Sequence, residues 1–332
     1  MKAIVYHRYG PPEVLQLEEA EQPIPGDEEV LVKVHASSVN DWDWKLLNSE
    51  PFVNRIMSGW RRPTKIKILG LDIAGRIEAV GKNATQFQAG DEIFGDISGN
   101  GFGGFAEYVC TKENALTLKP ASLTFEQAAA TPHVGVLGLQ GLRYKGEIQP
   151  GQKVLINGAG GGMGTLVIQM AKSIGAEVTG VDSTEKLDLL RLLGADHVID
   201  YTQEDFTRTG LRYDRIIDVA AYRSTFAYRR ALAPRGIYAV IGGGMGRIMQ
   251  TAFTGPFISL LGSKKMGPVM HKPNKDLAFI AGLLESGKVK PVIESRYPLS
   301  EVPEALRQYG EGTVKGKIVI TVIPDNQTGQ PG

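Results

Sequence analysis

The stretch LINGAGGGMGTLVIQMAK, residues 155–172, decides how the middle of this chain folds. It completes the apolar run KVLIN (153–157), which predicts a buried strand, and continues into TLVIQMAKSIG, which has helical spacing and a terminal glycine. The glycines between them match G-x-G-x-x-G in no frame; the nearest fit is Ala159-x-Gly161-x-x-Gly164, with alanine in the first place. Such a pattern alone is weak evidence for a ligand, so the neighbouring sequence has to decide.

Strand and helix patterns alternate after this turn. Buried strands are predicted at EVTGVD (177–182), HVIDY (197–201), RIIDVA (215–220) and GIYAVIGGG (236–244), with helices at 185–194 and near 224–233. This alternation is typical of βαβ units and predicts an α/β domain around a parallel sheet.

In that setting the glycine turn predicts a dinucleotide site. It opens a helix whose N–H groups and dipole favour a pyrophosphate, and Gly164 allows the helix to pack closely on the strand. The alternative is a strand–helix turn without a ligand, which the repeated βα units disfavour. The predicted cofactor contacts in the turn are Gly158, Ala159, Gly161, Gly162, Met163 and Gly164.

Residues after the second strand of this domain bear on the choice between NAD and NADP. Asp182 ends that strand, where a carboxylate commonly binds the ribose 2′-hydroxyl and favours NAD. Lys186, preceded by Ser183 and Thr184, and Tyr201 at the end of the next strand would instead suit a 2′-phosphate. A solvated lysine and a tyrosine packed at a strand end are the structural alternatives. Taken alone, these residues leave the choice open.

The first third of the chain has short apolar runs separated by Gly, Pro, Asn and Asp. Strands are predicted at 2–6, 29–39, 73–81, 91–96 and 105–110, and they indicate a compact β-barrel or sandwich. Residues 42–67 interrupt this pattern and are predicted to form a helical insertion or a loop. Near the other end of the chain, a helix is predicted at 275–287 and a strand at 317–322.

Composition excludes several classes of function. The 332 residues suffice for about two domains, and a net charge of +1 gives no electrostatic reason to expect nucleic acid or an anionic membrane as a partner. With Cys110 as the single cysteine, neither an internal disulfide nor a Cys-rich structural zinc cluster can form. No signal-peptide pattern and no run of membrane-spanning length is present, so a soluble, cytoplasmic protein is expected.

Together these residues resemble the medium-chain dehydrogenase/reductase superfamily, in its zinc-independent quinone oxidoreductase (zeta-crystallin-like) branch. The resemblance covers nearly the whole chain and includes ASSVNDWDWK (36–45), LGLDIAGRIEAVG (69–81), GGFAEYV (103–109), INGAGGGMG (156–164), LLGADHVIDY (192–201) and VKGKIVITV (314–322). It implies an α/β architecture with a GroES-like β-barrel-type domain at 1–125 and a Rossmann doubly wound, dinucleotide-binding domain at 126–265. It further implies a return to the first domain at 266–322 and a flexible tail at 323–332, with the active site in the cleft between the domains.

The resemblance also implies that this chain lacks a catalytic zinc. Zinc enzymes of the superfamily use a Cys, a His and a further Cys as ligands. Asn40 and Leu71 occupy the first two of these places, and His133 falls near the third. One imidazole cannot build a three-ligand site, so no metal is expected and His133 is expected to be a packed or cleft-lining residue.

Roles for further residues follow from the same resemblance. Asn40 is expected to contact the acceptor or the nicotinamide amide, and Asp43 to orient its neighbours or a proton-delivering water, or else to cap a turn. Lys186 and Tyr201 match the places that bind a 2′-phosphate, which favours NADPH over NADH, whereas Asp182 departs from the usual small residue. The remaining expected cofactor contacts are Thr131, Gly242, Gly243 and Lys317.

Without zinc, hydride transfer from a nicotinamide is easiest to an acceptor that is already electron-poor. The sequence therefore predicts an NAD(P)H-dependent reductase of quinones or α,β-unsaturated carbonyls. The alternatives are an alcohol dehydrogenase that acts without zinc and a non-catalytic NADPH-binding protein with a structural or regulatory role. A small-molecule substrate is the expected partner, and a homodimer is left open.

Overall fold

The computed structural model describes residues 1–324, and the chain divides into two compact units. Among the described residues, the first unit contains 1–133, 273–285 and 293–324; the second unit contains residues 134–272 and 286–292. The limits at 133 and 272 lie beyond the predicted boundaries at 125 and 265, and the second limit lies there because the sheet of the second unit includes β13 at 265–268, a strand that the sequence pattern did not indicate. Most of the tail predicted at 323–332 lies outside the described residues.

The strands and the helices are each numbered in chain order. The strands are β1 (Lys2–Tyr6), β2 (Leu15–Glu19), β3 (Glu29–Ser38), β4 (Asp72–Val80), β5 (Glu92–Asp96), β6 (Tyr108–Lys112), β7 (Thr117–Leu118), β8 (Lys153–Asn157), β9 (Glu177–Asp182), β10 (His197–Asp200), β11 (Tyr213–Asp218), β12 (Leu232–Val240), β13 (Lys265–Pro268), β14 (Ile293–Pro298) and β15 (Lys317–Thr321). The helices are α1 (Asp41–Asn48), α2 (Arg55–Ser58), α3 (Phe125–Ala129), α4 (Pro132–Leu142), α5 (Gly162–Ser173), α6 (Leu187–Leu192), α7 (Thr225–Ala231), α8 (Met245–Leu261), α9 (Leu277–Glu285) and α10 (Val302–Gly310).

The first unit is built on a mainly antiparallel sheet in the order β14-β15-β3-β4-β5-β7, with β6 also paired to β3. Its centre is the long strand β3, whose alternating apolar residues are buried, as the sequence pattern predicted. Strand β15 lies between β14 and β3, so the first unit needs a segment from far along the chain to complete its sheet.

The second unit is built on a six-stranded, all-parallel sheet in the order β10-β9-β8-β11-β12-β13. With β8 taken as the first strand, this is the 3-2-1-4-5-6 order of doubly wound nucleotide-binding domains. The predicted α/β class is therefore confirmed. The carboxyl ends of β8 and β9 meet at one edge of the sheet, which is where ligands bind in such domains.

Helices complete both units. Residues 42–67, predicted as a helical insertion or a loop, contain most of α1 and all of α2. Helix α8 has no counterpart among the predicted elements. Among residues 1–324, no helix is long and apolar enough to cross a membrane.

Candidate active site

The glycine turn between β8 and α5 has the geometry of a phosphate-binding loop. Gly158 has a φ of +79°, in the left-handed region that favours glycine. A Cβ at Gly164 would lie 2.3 Å from the Gly158 carbonyl oxygen, so only glycine allows α5 to approach the turn this closely. This confirms the packing role predicted for Gly164.

The start of α5 leaves space for a ligand. Gly161 is the N-cap, and no side chain caps the first turn of the helix, which contains Gly162, Met163 and Gly164. A Cβ at Gly161 would meet a single neighbour, the Gly158 carbonyl oxygen at 3.8 Å, so the position faces open space. Uncapped N–H groups beside such a space are what a pyrophosphate requires, and the residues present therefore fit a dinucleotide.

Asp182, at the end of β9, holds the turn in shape. Its Oδ2 accepts the Gly160 N–H at 2.7 Å, and its Oδ1 accepts the Ser183 N–H at 2.9 Å. Asp182 is 8 % exposed, and its carboxylate supports the loop. Its predicted contact with a ribose hydroxyl stays a prediction. The sequence pattern identified Asp182 but not this bond to Gly160.

Lys186 lies against the same turn and is not the solvated lysine considered as an alternative. It is 7 % exposed, and a Cβ on Gly160 would come within 2.7 Å of its Cδ, so its alkyl chain covers that glycine. Its Nζ is 3.9 Å from Asp182 Oδ1, an ion pair longer than a hydrogen bond. The structure thus places a buried ammonium and a buried carboxylate together beside the loop.

Tyr201 and Ser183 lie at the ends of neighbouring strands. The Tyr201 N–H donates to the Asp182 carbonyl oxygen at 3.2 Å, and its ring, 43 % exposed, lies 5.8 Å from the Tyr222 ring, centroid to centroid. The Ser183 hydroxyl donates to Glu185 Oε2 at 3.3 Å. Tyr201 is therefore an exposed aromatic residue at the edge of the site, not a packed one.

Gly242 and Gly243 follow β12 and allow a close approach between backbones. A Cβ at Gly242 would lie 2.4 Å from the Val219 carbonyl oxygen, and one at Gly243 would lie 2.2 Å from the Ala221 nitrogen. The close neighbour seen here is thus the loop after β11. The predicted contact of Gly242 and Gly243 with the cofactor stays a prediction.

A buried polar cluster that the sequence pattern missed fixes that loop. Asn157 Nδ2 donates to Asp218 Oδ1 at 2.7 Å and to the Ala220 carbonyl oxygen at 3.1 Å, while the Tyr238 hydroxyl donates to Asp218 Oδ2 at 2.7 Å. Burial raises the pKa of Asp218 to about 6. The only signal in the sequence was an Asp within the otherwise apolar run RIIDVA.

In the first unit, Asn40 is the centre of a second buried cluster. Its Oδ1 accepts Lys317 Nζ at 2.7 Å, and its Nδ2 donates to Asp72 Oδ2 at 3.0 Å and to the Ser38 carbonyl oxygen at 3.1 Å. Lys317 Nζ also donates to the Val39 carbonyl oxygen at 2.8 Å. Both amide hydrogens of Asn40 are thus committed within the protein, which fixes the orientation of its side chain.

Asp72 and His133 extend this cluster. Asp72 Oδ1 accepts the His133 backbone N–H at 2.8 Å, and Asp72 Oδ2 lies 3.7 Å from Lys317 Nζ. His133 Nδ1 lies 2.9 Å from Asp96 Oδ2. His133 is 5 % exposed, in agreement with the expected packed histidine. Asp72 and Asp96 were not predicted; Asp72 follows Leu71 directly in the quoted LGLD motif.

Burial is the largest single influence on the pKa values in this cluster, but it sets the direction of the shift for only two of the groups. Burial raises the pKa of Asp72 although Lys317 and His133 act against it, and burial lowers the pKa of the Lys317 ammonium although Asp72 and Asp43 oppose that. For His133 and Asp96, burial is outweighed by their mutual hydrogen bond together with the attraction between opposite charges, so the pKa of the imidazole is raised and that of the carboxyl is lowered.

Asp43 is a fully buried carboxyl at the start of α1. Its Oδ2 accepts the Asn40 N–H at 2.9 Å and its Oδ1 accepts the Gly70 N–H at 2.8 Å. Burial raises its pKa to about 7, although both of these hydrogen bonds lower it. Asp43 therefore ties the residue that precedes α1 to the loop before β4, which is the turn-capping alternative considered for it.

Thr131 is buried at the end of α3. Its hydroxyl donates to the Gln127 carbonyl oxygen at 3.1 Å, one helical turn back along the chain. Its predicted contact with a cofactor, like those of Asn40 and Lys317, stays a prediction.

Comparison with known proteins finds two family matches and several relatives. Residues 26–121 match the alcohol dehydrogenase GroES-like domain, and residues 193–320 match the zinc-binding dehydrogenase family. The chain is 33 % identical to the 2-methylene-furan-3-one reductase of Solanum lycopersicum, over 98 % of this chain and 80 % of that relative. It is 32 % identical to the chloroplastic NADPH-dependent alkenal/one oxidoreductase of Arabidopsis thaliana, with the same coverage of 98 % and 80 %.

A solved structure shows the same architecture along the whole chain. The quinone oxidoreductase from Coxiella burnetii superposes with a TM-score of 0.86 at 28 % identity, covering 97 % of this chain and 99 % of that one. The chain thus combines a GroES-like domain with a doubly wound domain and shares both with these relatives. It belongs to the medium-chain dehydrogenase/reductase superfamily, in its quinone oxidoreductase branch.

Proposed function

We propose that this enzyme is an NAD(P)H-dependent oxidoreductase that transfers hydride to a quinone or to an α,β-unsaturated carbonyl. The observation that carries the proposal is the open space at the uncapped start of α5, beside Gly161, at the ligand-binding edge of a doubly wound sheet. Relatives named as reductases of a furanone, of alkenals and of quinones support the class of acceptor.

The cofactor proposed is NADPH. The N–H groups of Gly162 and Met163 would hold the pyrophosphate, and the buried Lys186 ammonium, in a long ion pair with Asp182, would hold the 2′-phosphate. Bound there, the cofactor supplies a hydride from its nicotinamide. Asp182 keeps the loop in its binding shape through Gly160.

The residues at the first two zinc-ligand places do not suit a metal, and we include zinc independence in the proposal. Leu71 is fully buried and has no ligand atom in its side chain. Asn40 donates both amide hydrogens to protein acceptors and its Oδ1 accepts Lys317, so the protein holds its side chain in place. An alcohol or a simple ketone would need a Lewis acid to activate it. Without a metal, the enzyme would favour acceptors that are already electron-poor.

In this proposal, residues of the first unit hold Asn40 in a fixed orientation. Lys317 and Asp72 hold the Asn40 amide from opposite ends, and Asp43 fixes the backbone at Asn40. Pre-organised dipoles of this kind need no reorganisation during a reaction. Asn40, Asp43 and Lys317 are therefore proposed as positioning residues for the reacting groups.

A substrate panel tests the proposal. The purified enzyme would be given NADPH or NADH with quinones, enones, enals, simple ketones and saturated alcohols, before and after treatment with a chelator. We expect turnover with quinones or enones that survives chelation, with no stoichiometric zinc by metal analysis. Turnover confined to alcohols and ketones, or about one zinc per chain whose removal abolishes activity, would contradict it. Binding of NADPH without turnover of any acceptor would favour the non-catalytic alternative.

A further inference from the structure

Two tyrosine rings lie together at the carboxyl ends of β10 and β11 in the second unit. Tyr201 directly follows β10, and Tyr222 lies in the loop after β11. Their ring centroids are 5.8 Å apart and their planes are tilted by 50°, which is the geometry of an aromatic pair. Tyr222 is 39 % exposed and Tyr201 is similarly exposed. Two exposed rings in contact, at the edge of the sheet where ligands bind, form a surface suited to a flat ligand.

The loop that carries Tyr222 lies against the glycine turn. A Cβ at Gly158 would come within 3.0 Å of the Ala220 Cβ. The Ala220 carbonyl oxygen also accepts Asn157 Nδ2 at 3.1 Å. The backbone two residues before Tyr222 is thus anchored to the turn that is proposed to bind the pyrophosphate, so Tyr222 belongs to the same site.

Arg223 and Asp205 hold the Tyr222 ring in place. The guanidinium carbon of Arg223 lies over this ring, 4.9 Å from its centroid, and Arg223 Nη1 is 2.9 Å from Asp205 Oδ2. Asp205 is fixed in turn, because its Oδ1 accepts the Thr207 hydroxyl at 2.7 Å. A ring that is already held by the protein loses little freedom when a ligand stacks on it, and such pre-organisation favours binding.

The position of the tyrosine pair indicates which part of a dinucleotide it would meet. The Tyr201 N–H donates to the carbonyl oxygen of Asp182, the residue predicted to contact the adenosine ribose. Asp182 accepts the Gly160 N–H of the glycine turn. In NAD(P)H the adenine is joined directly to this ribose, whereas the nicotinamide is joined to the other ribose, beyond the pyrophosphate. The pair therefore lies on the adenine side of the site.

We propose that Tyr222 and Tyr201 form the adenine subsite of this enzyme, with the base stacked on the exposed part of the two rings. The inference rests on the proposed function, because it takes the glycine turn to bind the pyrophosphate of NAD(P)H. Stacking needs only the flat face of a base, so this subsite recognises NADPH and NADH alike. Lys186 is the residue that distinguishes the two. The 2′-phosphate contact predicted for Tyr201 uses its hydroxyl, whereas stacking uses its ring.

Calorimetry with NADPH, NADH and 2′,5′-ADP tests the role of Tyr222. Tyr222→Ala should raise all three dissociation constants at least about fivefold, the effect of losing one base–ring stack. Tyr222→Phe should keep them within about twofold of the native values, since stacking does not need the hydroxyl. Leu211→Ala is the control: Leu211 is 54 % exposed and lies at the opposite end of β11 from Tyr222, so this variant should bind as the native chain does.

Two variants of Tyr201 separate its ring from its hydroxyl. Tyr201→Phe should weaken the binding of NADPH and leave NADH nearly unchanged, because only the phosphate contact is lost. Tyr201→Ala should weaken the binding of NADH as well. If Tyr201→Ala affects NADPH alone, the role proposed for its ring is wrong.

A spectroscopic measurement distinguishes stacking from a role in holding the loop. The field of an aromatic ring moves the NMR signals of a base stacked on it upfield, so the adenine H2 and H8 signals of 2′,5′-ADP should move upfield on binding to the native chain. At saturating ligand the shift should be kept in Tyr222→Phe and reduced in Tyr222→Ala. An equal shift in Tyr222→Ala, or cofactor affinities that this change leaves unaltered, would overturn this inference alone. A native chain that binds neither NADPH nor 2′,5′-ADP would overturn the proposed function with it.

Discussion

At the scale of single residues, the cluster around Asn40 consists of buried charges that hold one another in place. Lys317 and Asp72 are almost completely buried, and each is hydrogen-bonded to the same amide, Asn40. Removing one partner of such a network leaves the other charge uncompensated, which is far more costly than the network is stabilising. The orientation of Asn40 is therefore coupled to the ionisation of its neighbours.

Lys186 allows a direct test of cofactor choice. If its ammonium binds a 2′-phosphate, Lys186→Met should weaken NADPH binding by roughly 1.5–3 kcal/mol, the scale of a charge-assisted hydrogen bond, and leave NADH binding nearly unchanged. Calorimetry with both cofactors measures this. Lys153→Met, at the opposite end of β8 from the glycine turn, is the control. A native enzyme that prefers NADH, with both affinities unaffected by Lys186→Met, would mean that Asp182 determines the choice.

Asp182 needs a conservative change, because its carboxylate also supports the loop. Replacement by glycine would remove a charge that repels a phosphate, but it would also release the Gly160 N–H. Asp182→Asn keeps an acceptor for that N–H and removes the charge. We expect the ratio of NADPH to NADH affinity to rise in Asp182→Asn; a ratio that falls would show that the carboxylate is needed to keep Lys186 in place.

Asp43 predicts a pH-dependent effect on stability. Its pKa is about 7 in the folded protein against an ordinary value of 3.8, so between these values the unfolded chain loses this proton while the folded chain keeps it. The contribution of Asp43 to the free energy of unfolding therefore falls as pH rises from about 4 to about 7. Asp43→Asn should be most destabilising near pH 4, and the deficit should shrink by roughly 2–4 kcal/mol near pH 7.5.

Urea denaturation of both proteins across this pH range measures the difference. The same change at the partly exposed Asp91, whose Oδ2 accepts the Gln88 N–H at 2.9 Å, is the control for replacing a carboxylate by an amide outside the buried cluster. A deficit for Asp43→Asn that grows with pH would show that the buried carboxyl is ionised in the folded state throughout.

At the scale of elements, two glycines at the start of α5 are expected to have different roles. Gly161 faces open space where a ligand would bind, whereas Gly164 is needed for the packing of α5 against the turn. Gly161→Val should abolish dinucleotide binding with little change in melting temperature, because the new side chain would enter the open space at the start of α5. Gly164→Val should lower the melting temperature, since even its Cβ would lie 2.3 Å from the Gly158 carbonyl oxygen. Calorimetry with thermal melts distinguishes the two. Unchanged cofactor affinity in Gly161→Val would show that no ligand occupies this space.

The elements that could be predicted from the sequence were those with a regular apolar pattern. Strands β8 and β9 were predicted with the observed bounds, because buried parallel strands are continuous apolar runs. Helix α8 was missed because it is apolar on both faces and contains Gly255 and Pro256, so neither periodicity nor propensity indicated a helix.

Some features of the site could not be predicted from the local sequence pattern. Lys317 meets Asn40 because β15 pairs with β3, and Asp72 meets it because β4 pairs with β3. Both are contacts between distant parts of the chain. The resemblance to a family, rather than periodicity, predicted that the chain returns to its first domain. The bond from Gly160 to Asp182 likewise depends on the exact approach of β9 to the turn.

At the scale of the whole molecule, the glycine turn proposed to bind the cofactor is contained in one unit. The second unit has its own sheet and its own buried core, which includes Leu155, Phe206 and Tyr238. A fragment comprising residues 134–272, which leaves out the segment 273–285 of the first unit, should therefore fold cooperatively and bind 2′,5′-ADP within about tenfold of the intact chain, since domains with complete cores often fold alone. Calorimetry and thermal melts test this. A fragment that is folded but does not bind would show that the first unit supplies part of the adenosine site.

The position of β15 has a consequence for how the protein is made. Lys317 is separated from Val39 by 278 positions, and the entire second unit is synthesised between them. At cellular rates of translation this interval lasts on the order of tens of seconds. Until then the edge of β3 at Ala36–Ser38 lacks its partner strand, and Asp72 lacks its ammonium. The nascent first unit must wait on the ribosome with an open edge, while the second can mature as it emerges, so chaperones are expected to act on the portion that was translated first.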